Sequence, residues 1–189
     1  RPQWLGFTWQ GPPGVTPRLV TAMYYTRPTG QLSGRISHPF WVLDYSRSHC
    51  GRVRVGSTRS PWHERPASVA HLYPPGTAYW EDTRPVKGLM AAAYVVFAGG
   101  DEAGLRGCIP RGQPHARIMD PDGSILAHIH AAAVAGGERG EAGFWEAQTS
   151  LCALIRILHK TGTGATAPVA ASTFVKAVDS FLASRVGGR

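Results

Sequence analysis

Histidine, cysteine, carboxylate and phenol side chains are the groups in this chain that can ligate, protonate or attack, and their spacing limits what each can do. His128-Ile129-His130 is the one HxH pair among eight histidines. It falls in a stretch of helical period, where side chains at i and i+2 diverge. His38, His63 and His71 have no spacing that sets two ligands on one strand, whereas zinc or iron needs three or four ligands converging at about 2.0–2.3 Å. Cys50, Cys108 and Cys152 stand apart with no CxxC spacing, and read as small buried hydrophobes of a reducing compartment. Asp120-Pro121-Asp122-Gly123 opens like a calcium loop but lacks the later acidic ligands, and reads as a turn. There is no GxSxG and no glycine-rich phosphate loop. No catalytic role and no cofactor is expected.

Rings and polar groups around a stiff turn offer a different chemistry, that of a binding pocket. Pro74-Pro75-Gly76 fixes two backbone angles, removes two donors and then permits a positive φ. On the strand that follows, alternation sets Thr77, Tyr79 and Glu81 on one face and Ala78 and Trp80 on the other. Further on, Ala92, Tyr94 and Val96 alternate against Ala91, Ala93, Val95 and Phe97. With Tyr79 and Tyr94 both inward, two phenols and a carboxylate would meet small alanines, the pattern of a small-molecule site. The competing reading makes these rings plain core, with their hydroxyls bonded to backbone.

The elements that must position these groups follow from period and turn signals. Short runs rich in Val, Tyr, Trp and Phe predict strands at Arg18–Tyr25, Phe40–Ser46, Arg52–Gly56, Ser68–Tyr73, Thr77–Glu81, Lys87–Phe97 and Ala116–Met119. Closely spaced strands without intervening helices imply a mainly β sandwich or small barrel. Gly11–Pro17 reads as an extended amino-terminal arm. After residue 123 the period becomes helical: Ser124–Ala135 ends at Gly136-Gly137, Glu141–Lys160 follows, and a third helix is predicted over Ala171–Val186 after a linker at Gly162–Pro168. In the second helix Phe144, Leu151 and Leu158 recur every seven residues with Leu154 and Ile155 beside them. That seam suits either its own sheet or the same helix of a second copy.

Composition sets the outer bounds. The 189 residues suffice for one good core, 43% hydrophobic and 17% charged content is globular, and no apolar run is long enough to span a membrane. The chain opens Arg1-Pro2-Gln3-Trp4 without a signal pattern, and is expected to begin inside a longer chain or after a trimmed leader. The net charge is +8, and of 20 basic residues only Lys87, Lys160 and Lys176 are lysine. Arg47, Arg52, Arg54, Arg59 and Arg65 surround one predicted hairpin, with Arg52 and Arg54 opposite Val53 and Val55, as on a solvated outer face. No presenting helix or ribbon for DNA reading accompanies them.

The succession Phe40-Trp41-Val42-Leu43-Asp44-Tyr45, Gly51-Arg52-Val53-Arg54-Val55, Leu72-Tyr73-Pro74-Pro75-Gly76-Thr77 and Tyr94-Val95-Val96-Phe97 resembles the sensor domain of AraC-type transcription regulators. The resemblance covers roughly residues 18–160 and rests on order, spacing and the PPG turn. It implies a cupin-like (jelly-roll) β-barrel over residues 1–122 including the arm, a helical dimerisation segment over 123–166, and a linker with a lead-in helix over 167–189 to an absent DNA-binding domain. It further implies a non-catalytic, cytoplasmic homodimer that binds a small polar effector, sugars included, and meets DNA only through that absent domain. The ligand set carried over is Arg35 (Arg27 second), Tyr79, Glu81 and Tyr94, with Trp41 from the first run. Phe144, Leu151, Leu154, Ile155 and Leu158 are the implied dimer contacts. The arm would close over the ligand. Metal-binding cupins place a histidine three positions after the PxG turn, where this chain has Tyr79; sugar-binding members carry a polar side chain at Ala92. The alternatives are a cupin metal-binding protein or enzyme, and a dimerisation module with no ligand.

Overall fold

The computed structural model describes residues 1–162. Nine strands precede two helices: β1 (Gln3–Thr8), β2 (Arg18–Pro28), β3 (Trp41–Ser46), β4 (Arg52–Val55), β5 (His63–Glu64), β6 (Val69–Tyr73), β7 (Tyr79–Asp82), β8 (Leu89–Ala98), β9 (Ala116–Met119), α1 (Ser124–Arg139) and α2 (Phe144–Gly162). All seven strands expected from sequence are present; β1 and the two-residue β5 are additions. Gly162 ends α2, and the remainder of the expected linker, with the helix expected over Ala171–Val186, lies outside the described residues.

Two antiparallel sheets face one another. The larger runs β1-β2-β8-β3-β6-β9 and the smaller β5-β4-β7. Isolated bridges from Leu32 to Asp82 and Ile36 to Tyr79 lay residues 32–36 along the free edge of β7 as a rudimentary fourth strand. Successive strands therefore cross between sheets, so that β2, β8, β3 and β6 face the 32–36 segment, β7, β4 and β5. That order is a cupin-like jelly roll. The sheets do not join into one closed barrel.

Alternation divides the apolar residues between two compartments. On the larger sheet, Trp41, Leu43, Tyr45, Ala70, Leu72, Ala93, Val95 and Phe97 join Ile125, Ile129, Phe144, Leu151, Leu154, Ile155 and Leu158 of the helices in one core. The opposite face sends Val42, Tyr73 and Val96 against Val53, Val55 and Tyr79 of the smaller sheet. Strand β3, buried along its whole length, is central to both.

The helices depart from expectation where they meet β1. The spacing predicts a stop at Gly136-Gly137, but α1 continues to Arg139 and ends at Gly140, whose φ is 55°. The reason is proximity. A Cβ on Gly136 would lie 2.5 Å from Cβ of Phe7, and one on Gly137 2.4 Å from Cδ1 of Leu5, so these glycines admit the edge strand rather than end the helix. At the other end no side chain of Gly123 can cap α1; instead Asp120 reaches forward to accept from the amides of Ile125 and Leu126, both at 3.1 Å.

The expected arm is also placed differently. Trp9 is buried and donates from Nε1 to Gly140 O at 3.0 Å, and the Gly11 amide donates to Glu141 Oε1 at 3.1 Å. Gln148 of α2 donates to Pro17 O at 2.6 Å and accepts from the Leu19 amide at 2.9 Å, where β2 is interrupted by a bulge. Gly11–Pro17 is thus tied to the helical side of the larger sheet, away from the space between the sheets. The dimer seam is corrected in the same way: Phe144, Leu151, Leu154, Ile155 and Leu158 are 0–4% exposed. Their seven-residue spacing fits a sheet face as well as a partner helix, and here it serves the sheet.

Candidate functional site

Between the sheets an apolar rim gives way to a row of charges. Asp44 on β3 points inward from a strand otherwise made of apolar and small residues. Arg65, just past β5, is entirely buried. Its backbone is held by bonds between Arg65 N and Gly51 O at 2.8 Å and between Cys50 N and Arg65 O at 2.9 Å. That approach demands glycine at 51, where φ is 78° and a Cβ would sit 2.2 Å from Asp82 O. Arg65 then bridges the sheets, donating from Nη2 to Asp44 Oδ2 at 2.5 Å and from Nη1 to Glu81 Oε1 at 2.7 Å. The second oxygen of Glu81 accepts from Arg27 Nη2 at 3.0 Å. Side-chain exposure rises along the row, from 0% and 7% at Arg65 and Asp44 to 12% at Glu81 and 26% at Arg27. The row leads from the interior to the surface.

At its outer end is a recess of about 30 Å³ lined by Arg27, Gln31, Ser33, Glu81 and Thr83. The 31–33 loop is fastened there: Gln31 N donates to Thr83 Oγ1 at 3.0 Å, and Glu81 N to Ser33 Oγ at 2.8 Å. The space suits a water or two.

Rings line the inner end. Tyr73 of β6 and Tyr79 of β7 stack across the gap at 4.4 Å and 7°. His71 and His115 continue the stack, with centroids 5.4 Å apart. Tyr94 meets Tyr25 edge-on at 6.0 Å. Both ring nitrogens of His71, the hydroxyl of Tyr73, Nδ1 of His115 and Nε of Arg65 are buried without hydrogen-bond partners among the described residues. His71 is therefore buried, as its strand face implies, but unsatisfied. Burial, reinforced by Arg65, pushes it down to about 2, and burial holds His115 at about 4, so both imidazoles are neutral. Burial raises the phenols of Tyr25, Tyr73, Tyr79 and Tyr94, which stay protonated. It raises Asp44 to about 6, with Arg65 opposing the rise. The compartment thus presents neutral rings, hydroxyls and imidazoles beside a charge-balanced row.

Of the residues singled out in the sequence, Tyr79, Glu81 and Tyr94 share this compartment. Two do not. Arg35 is exposed, and the arginine that reaches Glu81 is Arg27, because β2 runs on to Pro28 and carries it to the rim. Trp41 faces the helices and stacks on Phe97 at 6.4 Å, one residue out of phase with the inward Val42 and Asp44. Arg65 and Asp44 were missed. The local signal for Asp44 was a lone acid in an apolar strand; for Arg65 there was none. Among the described residues no three His, Cys, Asp or Glu side chains form a group that could hold a metal ion. The interior carboxylates Asp44 and Glu81 are both bonded to Arg65, so the donor set does not fit a divalent cation.

No family model matches the chain, and no curated protein does. Solved structures give faint likenesses. Oxalate decarboxylase from Bacillus subtilis is 14% identical with a TM-score of 0.37, over 45% of this chain and 22% of that one. YhaK from Escherichia coli is 11% identical with a TM-score of 0.45, over 66% and 53%. The SPY1581 protein of Streptococcus pyogenes is 13% identical with a TM-score of 0.37, over 52% and 75%. This chain therefore spans about a fifth of the decarboxylase and half of YhaK. The jelly-roll assignment rests on the strand order above. No helix among the described residues is long and apolar enough to cross a membrane.

Proposed function

We propose that the chain is the effector-sensing part of a transcription regulator of AraC type, binding a small polar molecule between its sheets rather than catalysing a reaction. The observation that carries this reading is the set of buried donors and acceptors without partners around the Asp44–Arg65–Glu81–Arg27 row. Buried polar atoms are almost always paired, and each unpaired one costs about 1–3 kcal/mol. A hydroxylated ligand entering past Arg27 and Glu81 would satisfy several at once. The ligand set in this reading is Arg27, Glu81, Tyr79 and Tyr94, with His71 and Tyr73 deeper. A cytoplasmic homodimer belongs to the same reading. Because the apolar seam of α2 is buried in its own core, such a dimer would use the outward side of that helix, where Trp145 is 62% exposed.

The test is a thermal-shift and calorimetric screen of sugars, polyols and small hydroxy acids. A ligand of the folded state at a hundredfold excess over Kd adds about 2.7 kcal/mol, or roughly 5–10 °C in a domain of this size. The shift should vanish in Arg27→Ala and Glu81→Gln and survive in Arg35→Ala. Silence across the panel, or shifts that survive both rim substitutions, would defeat the reading.

A further inference from the structure

The outer face of the smaller sheet carries an arrangement that the interior site does not use. Arg52 and Arg54 of β4 alternate with the inward Val53 and Val55 and so point outward. The register of β4 with β7 sets Arg52 beside Asp82 and Arg54 beside Trp80. On the other flank Arg52 is paired with Glu64 of β5, so Trp62, two residues earlier, comes beside Arg54. The ring contacts agree: the guanidinium carbon of Arg54 is 4.3 Å from the Trp62 centroid, and that of Arg52 is 5.2 Å away. One row across the three strands is therefore Trp80, Arg54, Trp62, and the next is Asp82, Arg52, Glu64. Both rows share one side, because Tyr79, Glu81 and Val53 between them face the interior. Both tryptophans are half-buried.

Charge on this face is unevenly matched. Asp82 is held by Arg52 Nη2 and Arg84 Nε, both at 2.8 Å, and the exposed Glu64 meets His49 at 2.9 Å. Arg54 has no carboxylate partner among the described residues. Its Nη1 donates to Thr58 O at 2.6 Å, which ties the 57–60 turn, with the exposed Arg59, to the same side. Four arginines thus stand against two carboxylates. The two indoles rise from strands two apart, about 10 Å from one another. Guanidinium groups suit phosphates, and indoles suit the faces of unpaired bases. A duplex hides those faces, and no helix stands on this sheet to enter a groove. We infer that this face binds single-stranded nucleic acid, with bases stacked on Trp62 and Trp80 and phosphates on the arginines between and beside them. It lies on the opposite side of the smaller sheet from the interior row and is independent of the site proposed there.

The probe is a fluorescein-labelled twelve-nucleotide oligothymidylate, titrated with the full chain by fluorescence anisotropy. An abasic strand of the same length and a duplex are its comparators. A basic protein attracts any polyanion, so the abasic strand measures charge alone. The oligothymidylate is expected to bind about tenfold more tightly than the abasic strand, the gain that stacking supplies, and more tightly than the duplex. Trp62→Ala should remove about tenfold of that affinity and leave the abasic strand unaffected. Arg59→Gln, at an exposed turn position, should leave Tm unchanged and weaken both strands by about the same factor, which keeps the test alive if the tryptophan variant fails to fold. Arg27→Ala should change nothing, which separates this face from the interior site. Equal binding of the oligothymidylate and the abasic strand, equal binding of the duplex, or an oligothymidylate affinity untouched by a folded Trp62→Ala would overturn the inference.

Discussion

Replacing Arg65 by methionine removes the cation on which the interior row depends while keeping most of its length. Arg65 is wholly buried and joins carboxylates from two sheets at 2.5 and 2.7 Å. Without it Asp44 keeps its burial and loses its partner. Breaking a buried pair in this way costs about 3–5 kcal/mol, because a desolvated charge is left uncompensated. Domains of this size are stable by roughly 5–15 kcal/mol, so Arg65→Met should fold with most of its margin gone. With a urea slope of about 2 kcal/mol per molar, the midpoint should fall by roughly 2 M. The loss should also depend on pH. Asp44 stands near 6 because burial raises it despite Arg65; without that cation it takes up a proton at still higher pH. The deficit should therefore be largest at pH 8 and shrink at pH 5. Adding Asp44→Asn and Glu81→Gln removes the stranded charges and should restore most of the loss. Urea unfolding of wild type, single and triple variants at both pH values decides the matter. A deficit under about 1 kcal/mol at pH 8 would refute the reasoning, as would equal deficits at both pH values or no recovery in the triple variant.

Other expectations follow from neighbouring features. In the wild type, the raised Asp44 means that the folded state binds its proton more tightly than the unfolded chain between about pH 4 and 6. This group's contribution therefore falls as pH rises through that window, and unfolding free energies should show wild type losing ground to Asp44→Asn between pH 4.5 and 7. Asp82 has the opposite sign: hydrogen bonds from Arg84 and Arg52 hold it low, so its contribution is present at neutral pH and lost on strong acidification, and Asp82→Asn should flatten the acid limb of a stability profile. Gly136→Ala gains about 1 kcal/mol of helix propensity but drives a methyl to within 2.5 Å of Phe7 Cβ. The clash should win by 1–3 kcal/mol, read as a fall in Tm of several degrees. Asp120→Ala removes two amide bonds and one from the Ser124 hydroxyl in the first turn of α1, and should cost about 1–2 kcal/mol in urea unfolding.

Most of the strand framework was legible because each strand carries its own alternation: β8 announces both of its faces in Ala92, Tyr94, Val96 and Ala93, Val95, Phe97. Strand β1 was not, since Gln3–Thr8 is short and lies at an edge, and what fixes it is α1, more than a hundred residues later. The same remoteness hid the site's centre. Arg65 looked like one of five arginines around a solvated hairpin, and Arg52 and Arg54 do lie on the outer face there. What distinguishes Arg65 is its contact with Asp44, 21 residues away, which no local period reports. Gly136-Gly137 misled for a related reason: glycine serves a helix stop and a close approach alike, and only the neighbour tells them apart. Arg35 against Arg27 was decided by how far β2 ran beyond its apolar core.

The two sheets live under unequal constraint. Every position on β3, and on β8 beyond Leu89, is at least partly buried, so drift in these strands meets helix or interior at each step. The smaller sheet has one bare side, and there Arg52 and Arg54 lie against Trp62 at 5.2 and 4.3 Å, unopposed by any layer. Charge on that face is held in place rather than loose, since Asp82 there is fully buried beneath the guanidinium groups of Arg52 and Arg84. Tolerance there is therefore uneven, and a library of substitutions screened for folding should find the exposed Arg59 permissive and Asp82 with its partner Arg52 intolerant.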